Sequence, residues 1–413
     1  MSLFLLSGCS SDPIIGSVDG EPIHNSDYLE ALDYYLSMYG LQSGDYTSES
    51  ATYIIDAYQD SILEQLALEQ VAFNKATELG YDQLTTEQQT ELDTSFNETM
   101  NTWIEAFKAQ AQAENPGADD QTITDAANQL FNEQLEQNGY TREEFEQRIR
   151  DNLKNSIVIQ RLFDESTAEI TVGESELQDT YETRIEEARE IYADDPSAFE
   201  ADFISNDSIV YIPDGYRQIK HILIGFDSQT SSEIQTLRAD GDDEQADALR
   251  EEALQEIQEE ANNILHSLAA DGSNFDEVMN ANTDDPGIES APNGYAVCDS
   301  EESSFDATFV DAAFSLNREG AISGLVATDN GYHILYYYRD LEEGPIPLET
   351  CGEALEAELL ESAKQSAFNT LVSQWYEEAE IVLDSSRITY PTPKATSTPS
   401  VSPTATPSVS DGN

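Results

Sequence analysis

The chain has 413 residues, 39% of them hydrophobic and 9% aromatic, which is enough for two or three domains and a sizeable core. It carries 83 Asp and Glu against 18 Lys and Arg, a formal net charge of −65. Such a surface repels phosphate backbones and anionic bilayers, which excludes nucleic-acid binding; it suits solubility or a salty exterior, with a weak, salt-screened attraction for basic unfolded chains as the functional alternative.

The chain opens with Phe4-Leu5-Leu6-Ser7-Gly8-Cys9-Ser10-Ser11, an apolar stretch and two small residues before a cysteine. This resembles the lipobox of bacterial lipoproteins, which implies that Cys9 becomes the lipidated first residue and that lipid holds the body at the outer membrane face. Met1 to Gly8 contains no Lys or Arg, so the charged start of a signal peptide is missing and a trimmed start is expected. No other stretch is apolar for long enough to span a bilayer. Cys298 and Cys351 then lie in a compartment that permits disulfides, and both a pair and two inert thiols fit the sequence.

Residues 1–15 thus read as signal remnant, lipobox and spacer, and residues 16–210 as a helical domain. Val18-Asp19-Gly20-Glu21-Pro22-Ile23 predicts a strand and an Asp-Gly turn, with Asn25 and Ser26 capping the next helix. Ile55, Tyr58, Ile62 and Leu66 predict an amphipathic helix from about Thr52 to Leu79, ending at Gly80. Thr86 with Gln89 forms a capping box for another helix, interrupted near Pro116. Thr141 with Glu144 opens a third, with Phe145, Ile149 and Leu153 as its buried stripe, and a further helix covers Glu174 to Tyr192. The opening "V-x-G-x-x-I" turn resembles the N-terminal segment of the SurA and PrsA families of extracytoplasmic foldases.

From about 216 to 340 strand and helix signals alternate, as in a compact α+β domain. Two of the four histidines stand in apolar strands, Ile219-Lys220-His221-Ile222-Leu223-Ile224 and Gly331-Tyr332-His333-Ile334-Leu335. Between them come an acidic stretch from Asp240 to Glu260, expected as a solvated helix extension, then Asn274-Phe275-Asp276-Glu277-Val278, Thr283-Asp284-Asp285, Phe309-Val310-Asp311-Ala312-Ala313-Phe314 and Thr328-Asp329-Asn330. That order and spacing resembles the parvulin family of peptidyl-prolyl isomerases.

The resemblance implies a four-stranded antiparallel sheet with surrounding helices, inserted between the N- and C-terminal segments of a helical SurA-N-like chaperone domain. It implies no cofactor, and unfolded or newly secreted polypeptides with X-Pro bonds as partners. His221 and His333 would lie side by side on neighbouring strands, and Asp285 would supply the carboxylate at a position that is Cys or Asp across the family. Asn330, at the Ser or Thr position before Gly-x-His, would bond the histidine pair. Phe309 would floor the proline pocket, with Phe305 and Tyr295 as further substrate contacts where the family has Met-like and Leu residues. The family's "G-G-D-L-G-x-F" turn is replaced by Ala291 to Cys298, which changes the groove edge. His221, His333 and Asp285 as zinc ligands are the competing reading, less favoured because the surrounding motifs already have an isomerase explanation.

After Pro345 a helix is expected from about Glu349 to Ala379, with Leu355, Leu359, Leu371 and Trp375. In the foldase family such a segment, here 348–384, returns to the N-terminal domain. Residues 385–413 are mostly Thr, Ser and Pro and read as a tail too polar to fold. The resemblance as a whole implies a lipid-anchored, extracytoplasmic peptidyl-prolyl isomerase and foldase; a holdase chaperone with a weak or inactive parvulin domain is the alternative.

Overall fold

The computed structural model describes residues 12–42, 44–137, 141–205 and 208–391. Cys9 and the tail beyond residue 391 lie outside them. The chain forms two compact units, Met1–Glu169 with Lys364–Asn413, and Ile170–Ala363.

In the first unit β1 (Ile14–Val18) and β2 (Glu21–His24) form a hairpin. Its turn places Asp19 at φ 52° and Gly20 at φ 89°, the left-handed pair that a two-residue connection requires. The next helix, α1 (Asn25–Met38), is capped by His24, whose N–H donates to Asp27 at 3.1 Å, and not by Asn25 or Ser26. Asn25 is buried and grips the far end of the chain: its amide donates to the Thr389 carbonyl at 2.9 Å and its oxygen accepts the Thr389 N–H at 2.8 Å.

The helices α2 (Glu49–Glu78), α3 (Thr86–Glu114), α4 (Asp120–Gln137) and α5 (Arg142–Thr167) complete this part. Ile55 and Ile62 of α2 pack with Leu29, Leu32 and Leu36 of α1, while Phe96, Met100, Phe131 and Phe145 form a second aromatic cluster. Thr141 with Glu144 boxes α5; the box at α3 is Thr85 with Gln88, one residue earlier than expected.

The second unit begins with α6 (Glu174–Asp194) and α7 (Pro196–Ser205), so its border falls at Ile170 and not near residue 210. It continues through β3 (Tyr211–Ile212), β4 (Tyr216–Gly225), α8 (Ser228–Asp240), α9 (Asp243–Ser267), α10 (Phe275–Asn282), β5 (Tyr295–Cys298), α11 (Ala307–Ser315), β6 (Val326–Thr328), β7 (Gly331–Asp340) and β8 (Gly344–Pro345). Four of these strands form an antiparallel sheet in the order β5-β4-β7-β6. Because side chains alternate across a strand, Ile222 and Ile224 of β4 meet Ile264, Phe275 and Met279 of α9 and α10 on one face. Ile219 meets Phe309, Val310 and Ala313 of α11 on the other. The acidic stretch is helical in α9, and Arg238 ties it to the β6–β7 turn through ion pairs with Asp243, Asp247 and Asp329.

The last helix, α12 (Leu348–Glu378), begins in the second unit, where Cys351, Leu355 and Leu359 join Tyr192, Phe199 and Tyr216. It ends in the first, where Phe368 and Val372 pack with Ala72, Val158 and Leu162. Then β9 (Ile381–Leu383) pairs antiparallel with β1. Residues 385–391 of the expected tail are ordered. Ser385–Arg387 forms a 3-10 turn, and Tyr390 packs against Tyr28 and Tyr46, since Ile388 and Tyr390 still have apolar surface to bury. Cys298 and Cys351 are separate buried thiols. No described helix is long and apolar enough to cross a membrane.

Candidate active site

Register brings the two histidines together. His221 of β4 stands opposite Leu335 of β7, and His333 opposite Leu223, so the histidines are diagonal neighbours on one face of the central strand pair. Their rings are 9° from parallel, and the two Nδ1 atoms approach to 3.0 Å. Both are buried, at 7% and 6% exposure.

The segment after α10 runs along the end of β4 and delivers a carboxylate to this pair. Asp284 N–H donates to the Leu223 carbonyl at 2.8 Å, Leu223 N–H to Thr283 Oγ1 at 3.1 Å, and Gly225 N–H to Asp284 Oδ2 at 2.9 Å. Asp285 is thereby held with its Oδ2 2.9 Å from His221 Nε2, its Oδ1 accepting the Gly287 N–H at 3.0 Å. Tyr295, on β5 beside β4, donates its hydroxyl to the same Oδ2 at 2.6 Å.

Burial by itself would raise the pKa of Asp285, but the hydrogen bonds from His221 and Tyr295, with that from the Gly287 N–H, outweigh it and hold the carboxyl at about 2. Asp285 is therefore an anion that can only accept. The hydroxyl it engages is in turn raised, by burial first, then by its hydrogen bond to Asp285 and the charge there. His333 is pushed down to about 3, chiefly by burial and then by His221, so its imidazole is neutral.

With both imidazoles neutral and Asp285 ionised, one set of directions fits every hydrogen bond. His221 Nε2 carries a hydrogen for Asp285, which leaves His221 Nδ1 as an acceptor for His333 Nδ1–H. His333 Nε2 is then bare and accepts the Thr328 hydroxyl at 2.8 Å, while Thr328 Oγ1 accepts the Asn330 N–H at 3.1 Å. One unidirectional chain runs from the β6–β7 turn to the carboxylate.

Thr328, which sequence reasoning passed over, holds the role given to Asn330. It is 2% exposed and lies on the face of β6 that looks toward His333, whereas Asn330 enters the chain through its backbone. The signal was the alternation of the hairpin: Val326 opposes His333, so Thr328, two residues on, shares that face.

Above the chain lies a groove of about 460 Å³, lined by His221, Asp285, Tyr295, Phe305, Phe309 and His333 among others. Phe309 meets both imidazoles edge to face, at 5.4 and 5.3 Å, and Phe305 stacks on it at 5.2 Å. The ring of Tyr295 packs on Phe305 while its hydroxyl serves Asp285, so this residue joins wall and carboxylate. In the altered turn Gly294 adopts φ 88°, and a Cβ there would meet the Ile219 carbonyl oxygen at 2.3 Å, so the turn approaches β4 too closely for a side chain. Floor, wall and carboxylate of the expected set therefore open onto one groove, with aromatic rings on its walls and polar groups at its base.

Residues 221–339 match the family model described as Rotamase, the PPIC-type PPIase domain. The chain is similar to Foldase protein PrsA of Clostridium botulinum strain Hall, 22% identical over 371 residues that cover 89% of this chain and 87% of the relative. Its likeness to Foldase protein PrsA of Clostridium kluyveri is 21% over 395 residues, 92% and 93% of the two chains. Among solved structures, that of PrsA from Bacillus subtilis is 16% identical with a TM-score of 0.26, covering 80% of this chain and 85% of the other. With its paired histidines, carboxylate and aromatic groove, the stretch 221–339 is a parvulin-type peptidyl-prolyl isomerase domain, in a chain similar along most of its length to PrsA foldases.

Proposed function

We propose that this chain is a foldase that isomerises X-Pro bonds of unfolded polypeptides outside the cytoplasmic membrane, tethered there by lipid on Cys9. The observation that carries the reading is the single hydrogen-bond chain from Asn330 N–H to an ionised Asp285 at the base of an aromatic groove. Rotation about an X-Pro bond must overcome an amide barrier of about 18–20 kcal/mol, so a catalyst has to bind the twisted amide better than the planar one.

Phe305 and Phe309 take the pyrrolidine ring, with Phe309 fixed against both histidines. In the planar amide, resonance places negative charge on the carbonyl oxygen, and in the twisted form that charge recedes. An anion beside this oxygen therefore disfavours the planar state more than the twisted one. Asp285 is that anion. His221 and Tyr295 hold it in place and keep it charged, and His333 with Thr328 fixes the tautomer of His221. A carboxylate this acidic and this fully hydrogen-bonded is a poor nucleophile, so the role is electrostatic. A holdase with a silent isomerase domain is the less favoured reading.

The test is NMR exchange on a proline peptide with the full chain. Loss of one charge-assisted hydrogen bond, about 1.5–3 kcal/mol, corresponds to about a 10- to 100-fold drop in rate. His221→Ala and Asp285→Asn are each expected to fall by that much while staying folded, Phe309→Ala is expected to fall at least about tenfold by loss of an apolar pocket contact, and a rate indistinguishable from wild type in all three sinks the assignment. Lipid labelling that survives Cys9→Ser refutes the tether.

A further inference from the structure

One wall of the groove, Ser304, Phe305 and Asp306, belongs to the loop between β5 and α11. A residue outside the matched stretch holds that loop. Glu200 of α7 is 2% exposed, and its Oε1 accepts the Cys298 N–H at 3.3 Å, the Cys298 thiol at 3.4 Å and the Ser303 hydroxyl at 2.7 Å. Its Oε2 accepts the Ser304 N–H at 2.7 Å and the Ser304 hydroxyl at 2.6 Å. The thiol keeps its hydrogen, because burial and then the Glu200 charge push it up to about 11.

A carboxylate this buried is tolerated only when its lone pairs are fully used, and here every donor comes from the groove loop or the strand that leads into it. Ser303 Oγ also accepts the Phe305 N–H at 3.3 Å, so the network reaches the backbone of the residue whose ring forms the wall. The helix that carries Glu200 is itself fixed: Phe199 packs on Tyr216 at 4.7 Å, and the Tyr216 hydroxyl donates to the Pro196 carbonyl at 2.7 Å.

We propose that Glu200 is a positioning residue for substrate: from a helix that precedes the isomerase domain it fixes the Ser304–Phe305 wall and so sets the width of the proline groove. The inference rests on the groove being the substrate site. It concerns affinity and not chemistry, since the contacts of Glu200 end at the loop, apart from the His221–Asp285 chain. A fragment cut at residues 216–340 lacks Glu200 and leaves the wall unsupported.

The experiment compares wild type, Glu200→Ala, Glu200→Gln, Phe305→Ala and the Glu200→Ala/Phe305→Ala double variant in the full chain. NMR exchange on short X-Pro peptides gives kcat and KM, shift titration with the same peptides gives Kd, and amide exchange reports Ser304 and Cys298. Kd and KM are expected to rise about tenfold in Glu200→Ala, the lower end of what one misplaced apolar pocket contact is worth. The value of kcat and its pH profile stay as in wild type, and the Ser304 amide loses protection. Glu200→Gln, which keeps one oxygen, falls between, and removing Glu200 from Phe305→Ala adds less than about twofold, because both act through one ring. A folded Glu200→Ala with wild-type Kd and KM overturns the proposal, as do fully additive effects; if the alanine variant does not fold, Glu200→Gln decides on the same criteria. Wild-type protein that neither binds nor turns over the peptides removes the groove reading as well, which separates the two failures.

Discussion

Acidification from pH 7 to 5 tests the histidine chain without altering a residue. The imidazole of His333 has an ordinary value of 6.5 and is pushed down to about 3 in the folded chain, because burial excludes the charged form. With the folded pKa below the unfolded one, the unfolded state binds the extra proton in this range, so stability falls as pH drops below 6.5 and stops falling near 3. The slope is about 1.4 kcal/mol per pH unit. At pH 5, one and a half units below the free value, the second unit is expected to be about 2 kcal/mol less stable than at neutral pH. Asp285 adds nothing in this interval: its folded value of about 2 lies below the ordinary 3.8, so its contribution is intact above 3.8 and is lost only as pH falls toward 2. Urea titrations followed on amide resonances of β4 and β7 read the change, and the His333 ring signals read the titration itself. Replacing His333 with Gln removes the slope. A wild-type unit equally stable at both pH values, or His333 titrating near 6.5, refutes the neutral, directed chain.

Three other outcomes follow from the same geometry. Tyr295→Phe removes one donor from Asp285 and costs about 1.5–3 kcal/mol; the carboxylate pKa rises toward its free value, so the acid limb of the isomerase profile moves to higher pH. Gly287→Ala places a Cβ 2.2 Å from the Tyr295 hydroxyl and is expected to copy that shift by displacing the hydroxyl, measurable in the same pH series. Thr328→Val keeps shape but leaves His333 Nε2 and the Asn330 N–H without partners, which costs about 1–3 kcal/mol per group; unfolding and exchange rates should both register it.

Where a signal was local and unambiguous, the sequence reading and the structure coincide. The Asp19-Gly20 turn, the Thr141–Glu144 box and the α3 stop before Pro116 each depend on neighbours within a few residues. Where two local solutions fitted, register could not be chosen: Thr85-Thr86 and Gln88-Gln89 are doublets, so both pairings have capping-box spacing. Asn25 suits a cap by type, but its partner Thr389 lies far along the chain and leaves no trace near residue 25. The histidines were legible because imidazoles in apolar strands are rare, and Phe309 because it shares their motif. Thr328 was overlooked because a motif names positions along the chain, whereas its hydroxyl is set by the face of a hairpin. Glu200 lies outside the motif altogether, in the ten-residue helix Pro196–Ser205, which the sequence reading did not pick out.

The pairing of β1 with β9 has a consequence for how the chain is completed. β1 lies between β2 and β9, and Gly16, Ser17 and Val18 face Leu383, Val382 and Ile381. A chain emerging N-terminus first has every strand of the isomerase sheet by residue 340, while one edge of β1 keeps unpaired backbone donors and acceptors until residue 383 appears. An open edge of this kind is a template for foreign strands, so the interval between those two points is when the protein is itself most open to misassembly. A C-terminal deletion reaching back into Ile381–Leu383 would make that exposure permanent, although it removes nothing from the groove.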